Sequence, residues 1–339
     1  MHDIIISEGD VMKKINYGIL TTASIVPRFV KGMRLTGTGE VIAIASRSMQ
    51  KAEQFAKELN IPHAYDNYHD LLANPEVDAV YIPVINVLHY EYAEAALKAG
   101  KHVLMEKPFV LHSWQAKELR KLAREKNLFL TEAVKAPHLP VYAEIRKVIS
   151  SQELGKLHFM EFRQSYNSGP YITGWNVDKA SGGGVLYGNE AYYLAMAQYL
   201  AGPIQSIAGS AVFPGEEAES QISISAVHPD GIISELCVSR IVLFDNGLKM
   251  YFENGRIEVP SFWKADKAYV IQNGEHIRTI DIPCESEMTY ELKHYNECIL
   301  SGRLESPITS LDMTIRNTEL VESLYQRWEA LAESVNSHS

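Results

Sequence analysis

"INYGILTTASIVPRFV", residues 15–30, reads as a buried strand, Ile15–Leu20, that passes through a short turn into an amphipathic helix, Ile25–Leu35. The same alternation continues to about residue 135. Apolar runs at Val41–Ala45, Ala79–Ile82, His102–Met105 and Phe129–Thr131 predict strands. Helical periodicity over Lys51–Leu59, Tyr90–Ala99 and Ser113–Lys126 lies between them. Strand alternating with helix implies a parallel sheet covered on both faces, which binds ligands at the carboxyl ends of its strands. After residue 150 the rhythm changes. Leu157–Tyr166, Ile204–Val212, Gln221–Val227, Ile232–Ser239, Lys249–Phe252 and Ala268–Gln272 read as strands joined by turn residues, with helices over Leu186–Leu200, Tyr290–Leu300 and Leu311–Glu333. The expected fold is α/β: a doubly wound parallel sheet over residues 12–135, then an α+β domain over 136–339 with a large, mostly antiparallel open sheet. Its C-terminal helices are placed to pack back on the first domain. Residues 1–11 differ in pattern from the rest of the first domain and are expected to be a disordered extension.

Composition narrows the function classes. The chain has 339 residues, enough for roughly two domains, with 46% hydrophobic and 22% charged residues. A net charge of −10 argues against a nucleic-acid binder, which needs a basic face. No apolar run reaches the ~20 residues of a membrane span. Cys237, Cys284 and Cys298 are too scattered for a disulfide framework or a metal knuckle, so a reducing, cytoplasmic location and no metal are expected.

The turn after the first strand stands where dinucleotide-binding proteins carry three glycines: one for the tight turn, one for close approach of pyrophosphate, one for helix packing. Here those places hold Thr21, Ala23 and Val26. Ser24 is a candidate N-cap, Pro27 suits a first helical turn, and the N–H groups of Thr21, Thr22, Ala23, Ser24 and Ile25 would still attract an anion. A plain strand–helix turn remains the alternative. At the end of the second strand, Ser46-Arg47 offers no carboxylate for the 2′-hydroxyl of NAD, whereas Arg47 would pair with the 2′-phosphate of NADP. A solvated arginine at a helix start is the plainer reading.

"HVLMEKPF" (His102–Phe109) resembles the Glu-Lys-Pro signature of the Gfo/Idh/MocA oxidoreductases. Three more stretches are similar to that family in the right order: Val77–Pro108 as a whole, "SGGGVLYGNEAYYL" (Ser181–Leu194), and "MTYELKHYNECILSGRLESP" (Met288–Pro307). The last is closest in pattern to the dimeric dihydrodiol dehydrogenase branch. The resemblance covers about residues 14–330. It implies a Rossmann domain binding NADP or NAD (NADP favoured), a small-molecule substrate among sugars, polyols, diols and related compounds, and a homodimer or higher homo-oligomer formed through the second sheet.

The resemblance further implies residue roles. Lys107 would hydrogen-bond the reacting oxygen, where a donor is needed as charge develops, and Tyr192 would exchange the proton. Glu106 would contact the nicotinamide ribose, and the Lys107–Pro108 bond is one that is often cis in the family. Pro83, Val84, Asn86 and His89 would border the cofactor, although Val84-Ile85 replaces the family's Thr-Pro and His89 could equally be bonded to backbone. The family's catalytic-helix Asp falls on Gly188. Glu190 is offset by about 200° on a helix and would substitute only if the backbone were irregular. Tyr192 and Tyr193 could also be packing aromatics. Glu132, Lys135, Trp175 and Glu190 are candidate substrate contacts. Lys135 and His138 replace aromatic residues of the dihydrodiol branch and would add polar groups to the cleft, or be solvated loop residues. Two readings stay open: a hydride-transferring enzyme, or a non-catalytic NAD(P)-binding sensor or scaffold. Loss of cofactor binding altogether is a weaker third.

Overall fold

The computed structural model describes residues 14–167 and 172–336; the segment 1–11 lies outside the described residues. The first half contains β1 (Ile15–Leu20), α1 (Val26–Thr36), β2 (Gly39–Ala45), α2 (Met49–Leu59), β3 (His63–Tyr65), α3 (Tyr68–Ala73), β4 (Ala79–Ile82), α4 (His89–Lys98), β5 (His102–Glu106), α5 (Ser113–Lys126) and β6 (Leu130–Ala133). Its strands form one parallel sheet in the order β3-β2-β1-β4-β5-β6. The order reverses between β1 and β4, and that switch point opens a ligand crevice at the strands' carboxyl ends.

The second half contains α6 (Pro140–Ser151), β7 (Leu157–Ser165), α7 (Val185–Ala201), β8 (Ser206–Val212), β9 (Gln221–Val227), β10 (Ile233–Ser239), β11 (Gly247–Phe252), β12 (Gly255–Pro260), β13 (Lys267–Gln272), β14 (Glu275–Asp281), α8 (Thr289–Leu300) and α9 (Leu311–Asn336). Eight strands make the second sheet, in the order β14-β13-β12-β11-β7-β10-β9-β8, antiparallel except where β7 meets β10. One face packs on α6, α7 and α9, with Met160, Phe162, Leu236, Met250, Tyr193 and Leu194 in a single core.

Several elements go beyond the sequence expectation. β3 has only three residues and no buried one, so it carries no apolar signal. β14 is exposed along nearly its whole length and is held by backbone pairing to β13. Helix α6 does carry a helical stripe, Val141, Ile145 and Val148, opened by Pro140 at its first position.

Helix α8 leaves the second half in sequence and joins the first in space. Gly32 lets it approach α1 closely, since a Cβ there would stand 2.9 Å from Met288 Cβ. On α8, Asn296 accepts from the Tyr17 hydroxyl at 2.7 Å, and its amide donates to Thr38 at 3.1 Å. Phe29 of α1 stacks on Tyr81 of β4 at 3.9 Å between ring centroids. Such buried aromatic packing contributes of order 1 kcal/mol beyond the area it removes from water. The result is a rigid floor beneath the crevice.

Candidate active site

The turn after β1 adopts the geometry that a glycine would normally supply. Thr21 has φ of 140°, in the left-handed half of backbone space where a side chain is strained. α1 then begins at Val26 with Ile25 as its N-cap and no side-chain cap hydrogen bond. Ser24 is exposed and does not cap the helix, contrary to expectation. In the first turn of α1, Val26 N and Arg28 N already donate to the Ala23 and Ile25 carbonyls and Pro27 has no N–H, so the groups that would meet an anion are the N–H groups of the turn Thr21–Ile25 itself. Thr22 Oγ1 lies 3.5 Å from Ser46 Oγ, so the ends of β1 and β2 are tied together beside this turn. Arg47 follows, exposed at the end of β2. The turn therefore fits a dinucleotide, although Thr21 holds it at a cost in strain. We expect Thr21→Gly to raise the denaturant midpoint by the equivalent of about 1 kcal/mol, the net of released strain and added chain entropy. A lower midpoint would show that the Thr21 side chain itself holds the turn.

Pro83 and Val84 follow β4 directly. Asn86 is buried and donates from Nδ2 to the Gly182 carbonyl at 2.8 Å, joining this loop to the start of α7. His89 is fully buried, with Nδ1 2.7 Å from the Pro108 carbonyl and Nε2 3.1 Å from that of Val84. Burial pushes its pKa down while the carbonyls facing its ring nitrogens oppose the fall, and the ring serves as a clip between the loops after β4 and β5. Of the two readings of His89, the geometry shows the backbone-bonded one.

The loop after β5 brings the reactive groups forward. Glu106 accepts from the Tyr81 hydroxyl through one oxygen and from Lys107 N at 3.1 Å through the other. The Lys107–Pro108 bond is cis. Lys107 Nζ donates to the Gly188 carbonyl at 2.7 Å and stands 5.3 Å from the Tyr192 ring centroid. The residue that lacks the family's carboxylate thus meets the lysine through its backbone oxygen. Among the described residues, a Cβ at Gly188 would find only the Tyr166 hydroxyl, at 3.6 Å.

Tyr192 is half-buried, and burial pushes its pKa up while the nearby Lys107 ammonium opposes the rise. Its hydroxyl accepts from Lys135 Nζ at 2.6 Å. Lys135 is therefore not a solvated loop residue; it is 6% exposed. Tyr193, by contrast, is a packing aromatic, fully buried and bonded to Ser234.

The carboxylates distribute differently from the expectation. Glu132 is buried with both oxygens engaged, accepting from Phe109 N at 2.9 Å and from the Thr314 hydroxyl at 3.3 Å. Burial raises its pKa to about 7. It braces the loop that carries Lys107 against α9. Glu190 sits on a regular stretch of α7, so the irregularity needed to bring it into the missing carboxylate's place is absent. It is buried with Oε2 unpartnered among the described residues, and burial together with Glu132 pushes its pKa well up. His138 is half-buried against His294 and the Tyr295 hydroxyl, and its pKa falls to about 3, chiefly through desolvation. Trp175 is 39% exposed in the 3-10 turn Gly174–Val177, which packs tightly on Gly183. Glu291 of α8 went unrecognised in the sequence. It is 1% exposed, and burial raises its pKa to about 8 against the opposing charge of Lys135. No local pattern marks it, because it reaches the site only through the return of α8.

Residues 15–134 match the family model described as an oxidoreductase family with an NAD-binding Rossmann fold, and residues 142–258 match the GFO/IDH/MocA C-terminal domain. The trans-1,2-dihydrobenzene-1,2-diol dehydrogenase of Xenopus laevis is 32% identical over 336 residues, 91% of this chain and 97% of that protein. The scyllo-inositol 2-dehydrogenase (NADP(+)) of Bacillus subtilis is 25% identical over 317 residues, 91% of this chain and 95% of its own. A 3-ketoreductase from Actinomadura kijaniata, solved with NADP and TDP-benzene, superposes with a TM-score of 0.83 over 93% of this chain and 98% of its own. At 22% identity, that likeness speaks for the fold alone.

Proposed function

This chain belongs to the Gfo/Idh/MocA oxidoreductases, and from that premise we propose that it moves hydride between NADP(H) and a hydroxy or carbonyl compound at the crevice between its two sheets. The observation that carries the reading is the meeting of Lys107 Nζ and Tyr192 at the carboxyl end of the parallel sheet. The turn Thr21–Ile25 would take the pyrophosphate, Ser46 and Arg47 the adenosine ribose, and Pro83, Val84, Asn86 and Glu106 the nicotinamide half. The bound dinucleotide supplies or accepts the hydride. Lys107 donates to the substrate oxygen as that atom gains charge, and Tyr192 gives or takes its proton at Oη. The substrate class is a sugar, polyol, diol or related compound, the class to which the dihydrobenzene-diol and the inositol of the two relatives belong.

A fluorescence titration with NADPH and NADH tests the cofactor assignment. Arg47→Ala is expected to weaken NADPH about tenfold, the loss of one charge-assisted contact, and to leave NADH unchanged. Equal loss for both would remove Arg47 as the phosphate reader. Turnover on a panel of trans-1,2-dihydrobenzene-1,2-diol, scyllo-inositol and simple aldoses tests the chemistry. Gly188 in place of a carboxylate favours a second reading, a cofactor-binding sensor, for which dinucleotide binds and no member of the panel reacts.

The outer face of the second sheet presents Phe159, Ile233 and Tyr251 among charged side chains and supports a homo-oligomer formed there. A monomer mass by light scattering would remove it. Among the described residues no helix is long and apolar enough to cross a membrane, and three free cysteines fit a reducing, cytoplasmic setting.

A further inference from the structure

We propose that Lys135 is a positioning residue for proton transfer: it holds the Tyr192 hydroxyl as an acceptor, turns the phenol proton away from itself, and balances the charge left on the phenol when that proton departs. The inference rests on the reading of the chain as a hydride-transferring enzyme and extends it to a residue outside the family's lysine–tyrosine pattern.

The geometry is specific. Lys135 follows β6 and opens the 3-10 turn Ala136–His138, whose Ala136 and Pro137 are buried. From there Nζ reaches Tyr192 Oη at 2.6 Å and lies 4.5 Å from the ring centroid. An ammonium has donors and no acceptor, so the phenol oxygen must accept. The O–H is then directed away from Lys135. Lys107 Nζ lies 5.3 Å from the centroid of the same ring. The phenol has two ammonium groups near it, each with a different duty. Lys107 exchanges the Gly188 carbonyl for a substrate oxygen. Lys135, buried and bonded to Oη, is placed to stay.

The charges facing Tyr192 come from four elements: Lys107 and Glu106 at the end of β5, Glu291 on α8, Arg28 on α1, and Lys135 after β6. Arg28 is itself engaged by Glu287. Glu291 stands near enough for Lys135 to oppose the rise of its pKa, which burial carries to about 8. In the reducing direction the carbonyl carbon gains the hydride that the reduced dinucleotide supplies, the C=O π pair moves to oxygen, and Oη releases its proton to that oxygen. Tyr192 is left as phenolate beside the Lys135 ammonium and takes a proton back from water. A carboxylate at position 188 is not required for this step.

The test uses the full chain labelled with 13Cζ-tyrosine, the Tyr192 signal being assigned by its loss in Tyr192→Phe. Lys135→Met keeps the apolar stem and removes the charge; Lys135→Arg keeps the charge. The Tyr192 resonance is expected to move in the Met variant and to return towards native in the Arg variant. With NADPH and a reactive carbonyl from the panel, kcat of the Met variant should fall about 10²-fold while KM for NADPH stays within about twofold, with partial recovery in Arg. A Tyr192 signal identical in native and Met proteins overturns the proposal, and so does an unchanged kcat. A native protein that binds NADPH and turns over nothing defeats the functional reading and the transfer role with it, whereas the resonance still decides whether Lys135 holds the hydroxyl.

Discussion

Lys107→Ala lowers kcat by about 10³-fold or more and leaves NADPH affinity within about twofold, as measured by steady-state turnover and fluorescence titration. The expectation follows from where the side chain ends. Lys107 is fixed by the Glu106 contact at its own N–H and by Pro108 behind it, and only Nζ projects into the crevice, to the Gly188 carbonyl. Truncation removes the donor that meets the reacting oxygen. It leaves untouched the turn at Thr21–Ile25, where the phosphates would bind, because that turn follows β1 and β4 separates β1 from β5 in the sheet. Unchanged turnover would remove Lys107 from the chemistry. Lost cofactor binding would place the lysine in the binding machinery instead.

Gly184→Ala is expected to destabilise the protein by about 3 kcal/mol or more, read as a fall in the urea or thermal midpoint. Gly184 is the N-cap of α7 with φ of 115°, and a Cβ there would collide with the Glu219 carboxylate. That carboxylate is not free to move. It is fully buried, and Oε1 accepts from Leu186 N at 2.7 Å and from the Tyr325 hydroxyl at 3.0 Å. A carboxylate at a helix N-terminus also meets the favourable end of the helix dipole. The added methyl would displace it, leaving buried donors unpaired at the head of the helix that carries Gly188 and Tyr192. The same variant should therefore lose turnover, and a midpoint unchanged within error would show that α7 is anchored elsewhere.

The backbone-level organisation was legible in the sequence because it is written in local periods. The runs at Ile15–Leu20, Ala79–Ile82 and His102–Met105 appear as buried strands at nearly the expected bounds. The second half appears as a mostly antiparallel sheet because its turn residues separate short alternating segments. Ser24 failed as a cap because α1 takes Ile25 as its N-cap, which leaves the serine side chain outside the helix. β3 and β14 escaped because strands that bury almost nothing leave no apolar period, being held by backbone pairing alone.

At the site the division is sharper. The alternating sheet, the turn at Thr21–Ile25, and the presence of Lys107 and Tyr192 are legible along the chain, since each lies in a segment whose pattern is local. What those groups touch is set by long-range packing. Lys135 meets Tyr192 across 57 residues of chain, Glu132 braces Phe109 and Thr314, and Glu291 arrives because α8 returns to the first sheet. Spacing along a chain records which face of a helix or strand is buried. It does not record which distant side chain will stand opposite, because that depends on how close two packed elements come, as Gly32 against Met288 and Gly184 against Glu219 show.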